Sequence, residues 1–172
     1  MQKRITQLFI EHGSQVYAYA YRRTRVTQEA EDIVAETYLI ALHRVDRVPE
    51  RALPWLIGTA RWVLANRSRT VAKEQEALAD LRAAHEPTYD PFEAVTALVA
   101  FEEAFSCMNA DDREVLMLVD WDGLSNKEAA AVIGCNTATF AVRLHRARRR
   151  LGEVLEGDAA VMSYVIRSGV MR

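Results

Sequence analysis

The sequence predicts an all-α protein with two small helical domains joined by a linker. Glycine and proline, with 7 and 4 occurrences among 172 residues, are scarce. No run of β-branched residues alternates as a half-buried strand does, whereas apolar residues recur every three or four positions. Half of the residues are hydrophobic, so a chain of this length can bury one ordinary core or two small ones.

The first predicted domain spans residues 1–70 and holds three helices. Apolar spacing places the first at about Ile5–Arg23 and the second at about Thr27–Val45, with Thr27 as its cap. A loop over 46–53 follows. The third helix is predicted at about Pro54–Arg69, because proline suits the first turn of a helix. The inward-facing residues of the first helix are predicted to be Ile5, Phe9, Val16 and Ala20.

The charge pattern changes after the third helix. Residues 71–95 hold six carboxylates, two basic residues and two prolines, which predicts an acidic linker with helix extending no further than about Ala84. A second domain is predicted over 96–155. The tail, residues 156–172, has no role that its sequence indicates.

Two helices are predicted at the start of the second domain. Apolar spacing places the first at about Thr96–Met108. The second is predicted at about Asp111–Val119, because Asp111 and Glu114 have the spacing of a capping box, in which each side chain accepts a hydrogen bond from the other residue's backbone N–H.

The end of the second domain has the pattern of a helix-turn-helix. Ser125 and Glu128 have capping-box spacing at the start of a short helix rich in alanine. Gly134 is where that helix should end, because glycine takes the left-handed conformation at little cost. Asn136 or Thr137 can cap the next helix. The apolar face of that helix is predicted to be Phe140, Leu144, Ala147 and Leu151.

This last helix carries five arginines, and no acidic residue lies between Thr137 and Arg150. The net charge of the chain is −2 and its pI is about 6.1, so contact with DNA has to come from a local basic patch. A plain helical hairpin with solvated arginines is the alternative for this segment. The arginines concerned are Arg143, Arg146, Arg148, Arg149 and Arg150.

The remaining composition excludes several classes of protein. Two cysteines are too few for the usual four-ligand zinc site, and no metal or cofactor is expected. Cys107 and Cys135 are interpreted as small core residues in a reducing cytoplasm, with a redox switch as the alternative. Neither a signal peptide nor a stretch long enough to cross a membrane is visible, so a cytoplasmic protein without membrane insertion is predicted.

Three segments resemble, in order and spacing, the functional regions of bacterial sigma factors. Residues 30–44, AEDIVAETYLIALHR, resemble the segment that binds the polymerase core. Residues 54–69, PWLIGTARWVLANRSR, resemble the segment that melts the promoter and recognises its minus-ten element. Residues 124–151 resemble the helix-turn-helix that recognises the minus-35 element. Two such domains with a short linker are the layout of the extracytoplasmic-function group (group 4) of the sigma-70 family.

The resemblance implies the site residues of the first domain. Asp32, Glu36 and Tyr38 lie where the family's helix docks on the polymerase β′ subunit, and the loop 46–53 lies where the family captures a flipped minus-ten base. Aromatic rings stack on unpaired bases and guanidinium groups bind phosphates, so both suit a melted strand. The residues implied in minus-ten binding are Arg61, Trp62, Asn66 and Arg67.

The resemblance also implies a minus-35 site on the last helix. Base contacts fix sequence preference, whereas contacts to the DNA backbone fix position. The positions that match base contacts are Thr137, Thr139 and Arg143. The positions that match backbone contacts are Arg146, Arg148 and Arg149.

The chain departs from the family pattern at three places. It has Ala35 where glutamine is usual, which removes a polar contact from the polymerase interface. It has Trp62 where asparagine is common. It has Phe140-Ala-Val-Arg143 where Val-Lys-Ser-Arg is usual, which removes two polar groups from the side of the helix that faces the groove. An unusual minus-35 preference, partly carried by apolar contact, is therefore predicted.

The predicted function is that of an alternative sigma factor, which is not an enzyme. Its predicted partners are the RNA polymerase core, through the β′ and β subunits, and promoter DNA; an anti-sigma factor is a further candidate. Two alternatives stay open. A helix-turn-helix repressor or activator acting without polymerase would have no use for Asp32-Ile-Val-Ala-Glu36. A module that binds an anti-sigma factor and has lost DNA binding would explain Phe140-Ala-Val142.

Overall fold

The computed structural model of the protein describes residues 2–76, 101 and 104–155. Every regular element within these residues is helical, which confirms the all-α prediction. The chain divides into two compact units, Met1–Ala83 and Ala84–Arg172. The predicted linker beyond residue 76 and the predicted tail, residues 156–172, lie outside the described residues.

The first unit contains α1 (Gln2–Thr24), α2 (Thr27–His43), a 3₁₀ turn (Val45–Arg47) and α3 (Ala52–Glu76). The turn between α1 and α2 depends on Arg25, whose φ of 58° is left-handed and whose N–H donates to the carbonyl of Tyr21. A left-handed residue after a helix satisfies one of its last carbonyls.

The predicted starts of all three helices of this unit differ in detail from the structure, and α1 begins at Gln2, three residues before Ile5. Val26 is the N-cap of α2 and makes no side-chain cap bond, so Thr27 is the first helical residue instead of the cap. α3 begins at Ala52, two residues before Pro54. Proline fits this position as well, because the first N–H groups of a helix have no acceptor within it.

The core of the first unit forms where the apolar faces of the three helices meet. Each fully buried aliphatic side chain contributes about 1.5–3 kcal/mol. Phe9, predicted to face inward, is 52% exposed, and its ring makes an edge contact with the ring of Tyr38. The apolar residues of this unit with 1% exposure or less are Val16, Tyr19, Ala20, Ala30, Ile33, Ala41, Ala52, Leu56, Ile57, Ala60 and Val63.

The second unit contains α4 (Ala110–Leu116), a π-helical turn (Met117–Trp121), α5 (Asn126–Ile133) and α6 (Thr137–Leu155). Residues 104–107, from the helix predicted before α4, are also helical. The predicted capping box at Asp111 is wrong: Asn109 caps α4, and its side-chain oxygen accepts from the N–H of Asp112 at 2.8 Å.

The predicted helix-turn-helix is confirmed in its local chemistry. Ser125 and Glu128 form a capping box, with Ser125 N–H donating to Glu128 Oε2 at 2.8 Å. Gly134 has a φ of +83°, which ends α5 in the left-handed region. Asn136 caps α6 by accepting from the N–H of Thr139 at 2.7 Å. The predicted apolar face of α6 is buried in full, at Phe140, Leu144, Ala147 and Leu151.

The prediction that both cysteines are core residues is wrong, because neither is buried. Cys107 is exposed, Cys135 is partly exposed, and both thiols are free. In the part of the chain that the structure describes, no three His, Cys, Asp or Glu side chains gather as a metal site requires. None of the described helices combines the length and the apolar character needed to cross a bilayer.

Candidate nucleic-acid interface

Two residues predicted to dock on polymerase meet one predicted to bind the minus-ten strand. Asp32 and Glu36 lie one turn apart on α2, and Arg67 reaches them from α3. Its Nη1 lies 3.2 Å from Asp32 Oδ2, and its Nε and Nη2 lie 3.2 and 3.1 Å from Glu36 Oε2. We call these three residues the Arg67 cluster.

The Arg67 cluster lies at the surface. The side chains of Arg67, Asp32 and Glu36 are 39%, 49% and 41% exposed. Partial burial of Arg67 opposes its charge, but hydrogen bonds and attraction from the two carboxylates outweigh this and raise its pKa above the usual value. Exposed ion pairs contribute about 0.2–1 kcal/mol each. The guanidinium of Arg67 therefore stays charged, and the cluster is only weakly held.

Tyr38, the third predicted docking residue, lies in the core. Its side chain is 7% exposed, and its hydroxyl donates to the carbonyl oxygen of Leu8 at 3.1 Å. Burial raises its pKa to about 12. The prediction that Tyr38 lies on the docking surface is therefore wrong, because α1 covers this side of α2.

The side chains of the predicted minus-ten residues point in two different directions from α3. Trp62 is 55% exposed, and Arg61 and Asn66 are partly exposed. Trp62 and Asn66 are four residues apart and therefore share a face of the helix. Arg67, by contrast, extends to α2. An exposed indole beside polar groups is suited to stacking on an unpaired base.

A residue that the sequence did not suggest fixes the turn before α3. Arg4, on the first turn of α1, donates from Nη1 to the carbonyl of Val45 at 3.1 Å and from Nη2 to the carbonyl of Val48 at 2.6 Å. Both valines are buried, so the backbone of this turn is held from two sides. The contact spans more than 40 residues of sequence, and no local pattern marks it.

The outer face of α6 carries most of the predicted minus-35 residues. Thr137 and Arg143 are exposed, Thr139 is partly exposed, and Val142 is 51% exposed beside Arg143. Arg146 lies one turn beyond Arg143 and is exposed. Neither of these two arginines has a hydrogen bond or ion pair within the described part of the chain. Both side chains are exposed on the same face of α6.

The other arginines of α6 are paired with carboxylates. Arg148 donates to Asp120 Oδ1 at 2.7 Å, and Arg150 is hydrogen-bonded to Asp112. Arg149 pairs with Glu153 at 3.2 Å, one turn along the helix. The absence of acidic neighbours in the sequence is misleading here, because the carboxylates that pair with Arg148 and Arg150 come from distant positions.

The Asp120–Arg148 pair belongs to the interior of the unit. The side chain of Asp120 is 4% exposed, and that of Arg148 is 27% exposed. Burial raises the pKa of Asp120, and the charge and hydrogen bond of Arg148 partly offset this rise. Within the described residues, Asp120 Oδ2 and Arg148 Nε are buried without a hydrogen-bond partner. The predicted contact of Arg148 with the DNA backbone is thus replaced by a structural pair.

Comparison with known proteins agrees with this arrangement. Residues 8–74 match the family of sigma-70 region 2, and residues 98–151 match that of sigma-70 region 4. The chain is 34% identical over 148 residues to the ECF RNA polymerase sigma factor EcfG of Rhodopseudomonas palustris, covering 83% of this chain and 80% of that protein. The chain belongs to the extracytoplasmic-function sigma factors of the sigma-70 family.

Further relatives of this sigma factor agree with that assignment. It is 34% identical over 132 residues to the probable RNA polymerase sigma-C factor of Mycobacterium bovis, covering 75% of this chain and 71% of that protein. The sigma factor RpoE in its complex with the anti-sigma factor NepR from Bartonella quintana has a similar fold. The TM-score is 0.67 at 26% identity, covering 92% of this chain and 99% of that chain.

A second solved structure is similar along nearly its whole length. CnrH in complex with the cytosolic domain of CnrY gives a TM-score of 0.61 at 25% identity, covering 92% of both chains.

The protein described here is a transcription initiation factor that directs RNA polymerase core to promoters and helps to melt their minus-ten region. The region 2 match over 8–74 favours this function over a regulator that acts without polymerase, which needs no such domain.

Proposed function

We propose how the sigma factor divides its task among named residues. Asp32 and Glu36 of α2 dock on a basic surface of the polymerase core. Trp62, with Arg61 and Asn66, holds the melted minus-ten strand. A second group on α6 binds the minus-35 duplex: Thr137, Thr139, Arg143, Arg146 and Arg149.

The observation that carries this proposal is the division of α6 into two faces. One face is buried along its length against the rest of the second unit. The other presents Val142, Arg143 and Arg146 to solvent, on a helix that follows a tight turn. A major groove admits one α-helix, and such a face can contact base edges and phosphates at once.

Base contact is assigned to Arg143 and Val142. An arginine can bond guanine bidentately, and a valine methyl can pack on the methyl group of thymine. Arg146 and Arg149 are assigned to phosphates, where they fix position but not sequence. Loss of the family's lysine and serine is compatible with such a mixed contact.

Run-off transcription with purified polymerase core tests the proposal. The chain should support initiation, and Arg143→Ala should change the preference among minus-35 variants. Lys3→Ala, which removes one exposed positive charge from α1, is the matched control and should leave the preference unchanged. Identical profiles for Arg143→Ala and wild type would show that α6 is not the base-contacting helix. Failure of the wild type to initiate would instead favour the module without DNA binding.

Docking is tested by binding to the core. The neutral variant Asp32→Asn with Glu36→Gln should weaken core binding strongly while keeping the helical circular-dichroism signal. Charge reversal to arginine at both positions is less suitable, because it would set like charges against Arg67. Unchanged core affinity of the neutral variant would remove this face from the docking surface.

An anti-sigma protein is the regulatory partner that we propose. Support comes from the solved relatives, which are complexes with the anti-sigma factor NepR and with the cytosolic domain of CnrY. Because its task is binding to polymerase and DNA, we further propose that the chain works in the cytoplasm and has no catalytic activity of its own. Affinity purification of the chain from cell extract, with identification of the proteins that it binds, tests for polymerase core and for an anti-sigma protein.

A further inference from the structure

The Arg67 cluster joins the two proposed docking carboxylates to an arginine of the helix that carries the proposed minus-ten residues. Asp32 and Glu36 would bind polymerase, and Arg67 lies on the helix that would hold the minus-ten strand. In the structure, the three side chains bond one another instead, with three N–O distances between 3.1 and 3.2 Å. Arg67 therefore occupies the carboxylates that would bind polymerase, and the carboxylates occupy the guanidinium that could bind a phosphate of the strand.

We propose that the Arg67 cluster couples polymerase docking to minus-ten binding. In the free sigma factor, Arg67 neutralises the docking carboxylates and is itself withheld from phosphate. When a cation of the polymerase takes Asp32 and Glu36, Arg67 is released and binds the single strand. This inference rests on the proposed function and adds a regulatory step to it.

The exposure of the cluster makes this exchange feasible. All three side chains are between 39% and 49% exposed, so an incoming cation reaches the carboxylates without unfolding. A fully charged, weakly held guanidinium on a long side chain can then turn to a phosphate. The Asp120–Arg148 pair is the contrast within the same chain. Asp120 is 4% exposed, so no such exchange is open to it.

Charge balance gives the direction of the effect. With Arg67 paired, its positive charge is screened by two carboxylates at contact distance, and a DNA phosphate meets a local net charge of −1. Once the carboxylates are occupied by polymerase, the same position presents an unscreened +1. Linkage makes the coupling reciprocal, so a bound single strand strengthens core binding by the same factor.

Single-strand binding by the full-length free chain tests the proposal. The probe is a fluorescein-labelled oligothymidine strand, and its anisotropy is titrated with protein at low salt. Asp32→Asn with Glu36→Gln should bind about fivefold more tightly than wild type, the size expected for releasing a surface ion pair. The matched control is Glu29→Gln with Glu31→Gln, which changes the net charge equally on exposed positions of α2 and should give a clearly smaller gain.

The dependence on Arg67 completes the test. In an Arg67→Ala background, neutralising Asp32 and Glu36 should give no more gain than the Glu29 and Glu31 control. Equal gains from the two charge-neutral pairs in the wild-type background would overturn the proposal, as would a gain that survives loss of Arg67.

Failure of the proposed function would look different. Unchanged core affinity of Asp32→Asn with Glu36→Gln would overturn the docking role. If docking is lost in that variant and transcription falls in Arg67→Ala, while oligothymidine affinity does not rise, the roles stand and the coupling is wrong.

Discussion

Arg148 and Asp120 form an ion pair that joins α6 to the π-helical turn across 28 residues of sequence, with Nη2 and Oδ1 at 2.7 Å. The pair turns one arginine of the supposed DNA-binding patch toward the interior. Arg146, two residues earlier, remains on the outer face. We therefore expect these two arginines of one helix to have different roles, which measurements of stability and of DNA affinity can separate.

Replacing Arg148 by alanine should destabilise the second unit. Removing one partner of a buried pair leaves an uncompensated charge and costs about 3 kcal/mol. Arg146→Ala, the matched control, should change the unfolding free energy by less than about 0.5 kcal/mol. Urea unfolding measures the stability of this unit when it is followed by Trp121 fluorescence. The substitutions Trp55→Phe and Trp62→Phe remove the signal of the first unit. Equal stabilities of the two variants would contradict the pairing.

The same two arginines should differ in their effect on promoter binding by the holoenzyme. Each phosphate contact contributes about −0.9 to the slope of log affinity against log salt. Arg146→Ala should make this slope shallower by up to about one unit, whereas Lys127→Ala on α5 is a charge-matched comparison expected to do less. An unchanged slope for Arg146→Ala would place that residue away from the DNA backbone.

Gly134 should tolerate substitution poorly despite open space around it. A Cβ at this position meets no atom within 4 Å, so only the φ of +83° opposes a side chain. Gly134→Ala should therefore cost about 1–2 kcal/mol, and Gly134→Asn less. Gly58 in α3 is also uncrowded but is helical, so Gly58→Ala should stabilise by about 0.5–1 kcal/mol. A gain from both alanine variants would contradict the conformational argument.

Tyr38 should give the first unit a stability that declines at alkaline pH. Burial raises its pKa from 10.0 to about 12, so the folded state retains the phenol proton longer than the unfolded chain does. The contribution is complete below pH 10 and is lost as pH rises towards about 12. The expected loss is about 1.4 kcal/mol for each pH unit within this window.

The matched variant Tyr38→Phe removes only the titrating hydroxyl. Below pH 10 it should be less stable than wild type by about 1 kcal/mol, because the bond to the Leu8 carbonyl is lost. The difference should shrink and then reverse as pH rises towards 12. Denaturant unfolding of both proteins across this range measures it, and parallel curves would show that Tyr38 does not titrate abnormally.

Trp62 should matter for promoter melting and not for folding. Its side chain is 55% exposed, so Trp62→Ala should leave the melting temperature nearly unchanged. Loss of a stacking platform costs about 1–3 kcal/mol per base, so open-complex formation should fall roughly five- to a hundredfold. Trp62→Phe should retain much of the activity. Fluorescence from 2-aminopurine in the minus-ten region measures opening, and full opening by Trp62→Ala would contradict the assignment.

The features that the sequence predicted correctly depend on local spacing. The apolar stripe of α6, the Ser125–Glu128 capping box and the end of α5 at Gly134 each involve residues within one or two helical turns. The geometry of a helix fixes such relationships before tertiary packing begins. These elements could therefore be predicted without knowing what they pack against.

The features that could not be predicted from the sequence depend on packing between distant elements. Tyr38 has the helical spacing of the buried Val34 and Ala41, but the family resemblance placed it on the docking surface, and its bond to the Leu8 carbonyl appears only when α1 packs on α2. Arg148 follows the same basic pattern as Arg146, and only Asp120 distinguishes them. The cap of α4 is Asn109 and not Asp111. Both side chains are good N-caps and lie two residues apart, so propensity alone does not choose between them. Local patterns do not choose among such alternatives.

Pairing of Arg148 with Asp120, and of Arg150 with Asp112, also affects how the protein searches a chromosome. Affinity for arbitrary duplex rises with the number of phosphates that a protein neutralises, and every genomic position competes with the promoter. Two arginines engaged with carboxylates add little to that background affinity. Free sigma factor should accordingly spend less time bound to bulk DNA than it would if Arg148 and Arg150 were unpaired. A larger share of it then stays available for assembly with polymerase.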